Sequence, residues 1–84
     1  MADKSETPMP NLNDRFGHAV RELREYHGWS QERLAEHADL NRSYLGEIER
    51  GGVTPSLATV AKLALALHVT PSALVARCEP ISLN

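Results

Sequence analysis

Between Leu12 and Arg77 apolar residues recur at intervals of three and four, and no segment alternates apolar and polar residues as a half-buried strand would. Phe16, Val20, Leu23 and Tyr26 or His27 make one face of a first helix over about residues 12–27. Asn11 or Asn13 is placed to cap it, Asp14 suits the positive end of its dipole, and Gly28 ends it. A second helix starts at Ser30 with Leu34, Ala35 and Ala38 on its inner face. Asp39 occupies the following turn, where positive φ is often needed, and Leu40 fills the gap between helices. Asn41 caps a third helix, Arg42 to Arg50, with Leu45 and Ile48 pointing inward and Gly51-Gly52 as the stop. Ser56 caps a fourth helix with a stripe of Leu57, Val60, Ala61, Ala64 and Leu67, widened by Leu63. Thr70-Pro71 opens a fifth that holds Leu74 and Val75 and ends near residues 77–79. The pattern predicts an all-α fold of five short-linked helices.

The segment from Trp29 to Gly52 is two short helices, each with its own start signal, joined by a tight turn. The second opens Asn41-Arg42-Ser43-Tyr44, a run of side chains that all form hydrogen bonds. That is the pattern of a helix-turn-helix whose second helix enters the major groove of DNA.

Composition narrows the picture. Eighty-four residues make one small domain, and with 42% hydrophobic but only 5% aromatic residues its core must be aliphatic. Residues 1–11, polar and with two prolines, are expected to be a disordered arm; residues 12–79 form the domain and residues 80–84 a tail. No apolar run is long enough to span a bilayer and the N-terminus lacks a signal-peptide layout, so a cytoplasmic location is expected. The single cysteine, Cys78, excludes an internal disulfide and reads as an ordinary buried thiol. The formal net charge of −2 is unusual for a DNA binder. Glu22, Glu25, Glu32 and Glu36 concentrate acidity on helices 1 and 2, whereas Arg42 and Arg50 bracket helix 3, so a basic face on an acidic body is required.

The motifs in order are R-E-L-R-E in helix 1, W-S-Q-E-R-L-A opening the turn motif, Arg42-Ser43-Tyr44-Leu45, I-E-R-G closing helix 3, and P-S-L-A-T-V-A-K-L-A-L-A-L in helix 4. Together they resemble the Cro/C1-type (XRE) helix-turn-helix regulators over about residues 12–77, which implies a lambda-repressor-like domain. The small size and the N-R-S-Y opening are similar to restriction–modification controller proteins, small dimeric autoregulators. Gln31, first in helix 2, is expected to meet a phosphate, and the resemblance implies that such a Gln contacts the DNA backbone and sometimes a base. Arg42 is placed for a bidentate contact to guanine O6 and N7, or for phosphate alone. Ser43 reaches a base edge or a phosphate. Tyr44 either bonds a phosphate or packs on helix 2. Glu47 accepts from cytosine N4, orients Arg42 or Arg50, or suppresses non-specific binding. Gly46, where many relatives carry a larger polar residue, lowers helix propensity by about 1 kcal/mol and permits close approach to the groove. Arg50 and Thr54 are expected at phosphates. The resemblance further implies an ion pair between Arg24 and Glu49 tying helix 1 to helix 3. Two departures from the family are Asp39, where glycine is frequent, and the uncharged loop Gly51-Gly52-Val53-Thr54-Pro55, where relatives are basic.

Catalysis finds no support. His18, His27, His37 and His68 are scattered, show no zinc-ligand spacing with Cys78, and no phosphate loop follows a strand. No enzyme activity, metal, cofactor, membrane contact or small-molecule effector is expected. Val69, Leu74, Val75 and Ile81 exceed what one core needs and are expected to pair two copies of the chain. The partners are then double-stranded operator DNA and a second copy. The alternative is a protein-interaction module, such as an antitoxin, that acts through a partner protein.

Overall fold

Each helix begins where a capping side chain stands in the sequence. A computed structural model, which describes residues 11–79, gives α1 as Leu12–Tyr26, α2 as Gln31–Ala38, α3 as Arg42–Arg50, α4 as Leu57–Ala66 and α5 as Pro71–Ala76. Asn11, Ser30, Asn41, Ser56 and Thr70 precede them in extended conformation, and each side chain accepts a backbone N–H from the first turn. Such a cap contributes about 1 kcal/mol. Isolated helices as short as the six residues of α5 are not stable in water, so α5 depends on its packing against α4 and α1 in addition to its cap. Asn11 is therefore part of α1's start rather than of an arm; residues 1–10 and the tail 80–84, including Ile81, lie outside the described residues.

The turn after α2 is left-handed at Asp39, with φ 57°, as expected of a residue standing where glycine would be free of strain. His68, after α4, adopts the same conformation at φ 63°, which the sequence did not signal. Its neighbourhood is held by His27, whose Nε2 lies 3.1 Å from the carbonyl oxygen of Leu67.

α1 lies across α3, α2 packs on α3 and α4, and α5 sits on α4 and returns to α1. Where they meet, Val20, Leu34, Leu45, Ile48, Leu63, Leu67, Leu74 and Cys78 are fully buried, the aliphatic core that the composition required. Gly17 lets α1 approach the end of α3. A Cβ there would run into the backbone carbonyl oxygens of Ile48 and Glu49, so no larger residue fits without moving a helix.

Of the two candidates for the last inward position of α1, half-buried His27 takes it and Tyr26 is 85% exposed, so that expectation holds in its second form. Other expectations fail on burial. Leu57 and Ala61 face solvent rather than the core. Leu74, expected at a contact between copies, is wholly enclosed by the chain's own core and has no surface to offer one. The Cys78 thiol is buried, which pushes its pKa up; Arg15 nearby opposes that shift and Glu79 adds to it.

Candidate nucleic-acid interface

The orientation of α3 is set from beneath. Arg24 of α1 donates from Nε to Glu49 Oε2 at 2.7 Å and from Nη2 to Glu49 Oε1 at 3.0 Å. Its Nη1 donates to the carbonyl oxygen of Trp29 at 2.8 Å, fastening the entry to α2 as well. The two side chains are 12% and 4% exposed, so this fork-to-fork pair works with little water around it. The hydrogen bond to Glu49 raises the Arg24 pKa; burial opposes it, and the negative charges of Glu49 and Glu25 reinforce it. Gln31, first residue of α2, donates from Nε2 to Glu49 Oε1 at 3.0 Å. One buried carboxylate thus joins α1, α2 and the end of α3.

Above that anchor, Gln31, Arg42, Ser43, Tyr44, Gly46, Glu47 and Arg50 line one shallow depression on the surface. Arg42 and Ser43 are exposed at the start of α3, and Arg42 enters no ion pair among the described residues. The backbone N–H groups of Ser43 and Tyr44 donate to Asn41 Oδ1 at 2.8 and 3.2 Å, which fixes the tip of the helix. Tyr44 is half-buried and packs against the core. Glu47 accepts from Arg50 Nη2 at 2.7 Å, with both side chains about half exposed or more, so of its three readings the free protein displays the orienting of Arg50.

Gly46 is buried in the middle of this face, beside the side chains of Arg50 and Gln31. A Cβ there would stand 3.4 Å from Arg50 Nη1 and 3.7 Å from Gln31 Oε1. The Gln31 amide nitrogen gives one of its hydrogens to Glu49, a contact that the sequence did not suggest. A phosphate at α2 could meet the second N–H of that amide as well as backbone N–H groups of the helix start.

Thr54 lies apart from this depression, in the loop after α3. It accepts from Asn13 Nδ2 at 2.8 Å, which leaves its own hydroxyl hydrogen free to donate. Asn13, expected only as a possible cap, is thus the support of a candidate phosphate contact. Of the residues expected between copies, Val69 is half-buried against the core, Val75 is 44% exposed, and Ile81 is not among the described residues.

A different apolar surface is exposed. Leu57 is 86% and Leu65 79% exposed, with Ala61 exposed between them at four-residue spacing and Ala58 beside them. The signal was present in the sequence: in Leu57–Ala66 only Thr59 and Lys62 are polar, and a helix apolar all round has a second buried face. Among the described residues no three His, Cys, Asp or Glu side chains are grouped to hold a metal ion, and no helix is long and apolar enough to cross a membrane.

A family model described as helix-turn-helix matches residues 20–74. The chain is 41% identical over 66 residues to control protein C.BamHI of Bacillus amyloliquefaciens, covering 77% of this chain and 82% of that one. It is 39% identical over 61 residues to the HTH-type transcriptional regulator SutR of Escherichia coli, covering 73% of this chain but only 34% of SutR. The crystal structure of the restriction–modification controller protein C.AhdI from Aeromonas hydrophila superposes with a TM-score of 0.72 and 47% identity, covering 74% of this chain and 94% of that one.

Proposed function

This chain belongs to the helix-turn-helix family of DNA-binding transcriptional regulators, and on that premise we propose that it binds a palindromic operator as a homodimer and controls its own promoter. The observation that carries the reading is the uncommitted Arg42 at the capped, exposed tip of α3, on a helix whose tilt is locked by Arg24, Glu49 and Gln31. A guanidinium so placed pairs with guanine O6 and N7 in the major groove. Ser43 and Glu47 stand beside it as further base contacts. Arg50, the Thr54 hydroxyl and the backbone start of α2 serve as phosphate contacts.

A homodimer is supported by the exposed Leu57, Ala61 and Leu65 of α4 together with Val75 of α5. Two-fold pairing sets recognition helices about 34 Å apart, one turn of DNA. Autoregulation is supported by the likeness in size and motif to controller proteins, and the cytoplasm is the compartment this role requires. The apolar α4 face also suits the second reading, a module that acts through a different protein.

The test is a mobility-shift assay with a palindromic fragment from the region upstream of the chain's own reading frame. The dimer is expected to shift it at low salt, and Arg42→Ala to weaken the shift by at least about tenfold with an unchanged melting temperature. A purified dimer that ignores such DNA would sink the regulator reading, and a monomer that gains its α4 partner only from another protein would favour the second.

A further inference from the structure

The tip of α3 carries an amide whose two ends are already told apart. Asn41 is exposed, and its Oδ1 accepts from the backbone N–H of Ser43 at 2.8 Å and of Tyr44 at 3.2 Å. Both partners are donors, so the oxygen and not the nitrogen has to face the helix, and the usual ambiguity between amide ends is settled by chemistry. The backbone carbonyl oxygen of Asn41 accepts from Leu45 N–H at 3.0 Å, which fixes the residue's backbone as well. Its Nδ2 is left with two hydrogens to give, and among the described residues it donates to no protein acceptor. Next in the chain stands Arg42, also exposed at that tip.

Resting on the reading of α3 as the groove-entering helix, we infer that Asn41 is a specificity-determining residue that donates a hydrogen bond to the keto oxygen of a base, guanine O6 or thymine O4. An asparagine ordinarily reads adenine through both ends of its amide, giving a hydrogen to N7 and accepting one from N6. Asn41 cannot do this, because its oxygen is spent on the helix cap. What it offers the groove is a donor alone, held in one orientation before DNA arrives. Cytosine presents only a donor there, N4, and adenine sets its N6 donor beside N7, so both meet the Nδ2 hydrogens unfavourably. The two bonds that start α3 thus also decide which bases its capping residue accepts.

The experiment compares the full chain with Asn41→Asp, which is isosteric, keeps a capping oxygen and puts an acceptor where Nδ2 was. Its melting temperature should not fall. In selection from a randomised operator library, the wild type is expected to take guanine or thymine on one strand at one base pair of each half-site. Asn41→Asp is expected to take that pair turned round, with cytosine or adenine on the same strand. Base analogues in the selected operator then show which strand is read. Replacing the guanine by 2-aminopurine, or the thymine by 5-methyl-2-pyrimidinone, removes the keto oxygen and should weaken the wild type about 2- to 12-fold, while Asn41→Asp should not be weakened. Removing the amine from the opposite base should leave wild-type affinity unchanged. If Asn41→Asp loses affinity alike on every sequence, or oxygen removal leaves the wild type unaffected, Asn41 is a cap or a phosphate contact and the proposal is overturned. If the wild type selects no sequence at all, the regulator reading itself fails, a result distinct from either.

Discussion

Replacing Arg24 by methionine should unfold the protein at lower temperature before it alters any contact with DNA. The Glu49 side chain is 4% exposed and in the wild type receives two bonds from Arg24 and one from Gln31. In Arg24→Met only the Gln31 bond remains, and the carbonyl oxygen of Trp29 loses the donor that Arg24 Nη1 supplies. Leaving a buried charge without its partner costs about 3–5 kcal/mol. A domain of this size loses about 4–8 °C of Tm per kcal/mol, so thermal melts followed by circular dichroism should show a fall of at least ~12 °C. The double variant Arg24→Met/Glu49→Leu removes the stranded charge and should recover more than half of the loss. The pH dependence follows from the raised Arg24 pKa. Because folding favours the charged guanidinium, its contribution is complete below the unfolded value and is lost only as pH climbs through the folded one, beyond any working pH. The penalty should thus be the same at about pH 6 and about pH 9. A single variant melting within about 3 °C of the wild type, or a double variant no better than the single, would refute the reasoning.

Gly17→Ala should destabilise the fold by about 1–3 kcal/mol, measured by urea denaturation, because the added methyl meets the Ile48 and Glu49 carbonyls on a neighbouring helix; an unchanged midpoint would mean that α1 and α3 are less closely held. Leu65→Glu, on a side chain 79% exposed, should leave the monomer's Tm unchanged but convert the proposed dimer to monomer in light scattering, and persistence of the dimer would move the interface elsewhere. Cys78 should resist alkylation in the native state at neutral pH and react once the chain is unfolded, since burial both encloses the thiol and raises its pKa. With the folded thiol harder to ionise than the unfolded one, stability should begin to fall as pH rises past about 8.5; rapid labelling of the folded protein would contradict this.

The helices and their caps were legible because each depends on residues close in sequence. Asn41 satisfies N–H groups only two and three residues away, and the apolar spacing that buries Leu45 and Ile48 is local too. What was illegible depends on a distant partner. Gly17 reads as an ordinary helix glycine until α3 lies across it, thirty residues later. Gln31 reads as a free amide at a helix start until Glu49 is brought beneath it. The Arg24–Glu49 pair was reached by resemblance alone, since neither the charge pattern nor the spacing singles it out among the other acids of α1 and α2. The surface of α4 shows a different failure. Leu57 and Ala61 fit a stripe with Val60 and Ala64, and a helix with apolar residues on every side supports more than one stripe, so periodicity did not decide which face turned inward.

Charge and the α4 surface bear on one another. The chain carries a formal net charge of −2, its loop from Gly51 to Pro55 has no cation, and Glu47 already neutralises part of Arg50 at 2.7 Å. A protein with few cations to release counterions gains little sequence-independent affinity, since each neutralised phosphate contributes a slope of about −0.9 in log K against log salt. On the proposed reading, one copy on one half-site therefore depends on Arg42, Ser43 and Glu47, a contact set too small for tight binding by itself. Joining two copies through Leu57, Ala61 and Leu65 makes the second half-site contact effectively intramolecular and multiplies the affinity without adding a cation. Operator occupancy should then follow the square of protein concentration below the dimer dissociation constant and show a shallow salt slope, whereas a steep slope with linear occupancy would mean that bulk charge, not pairing, carries the binding.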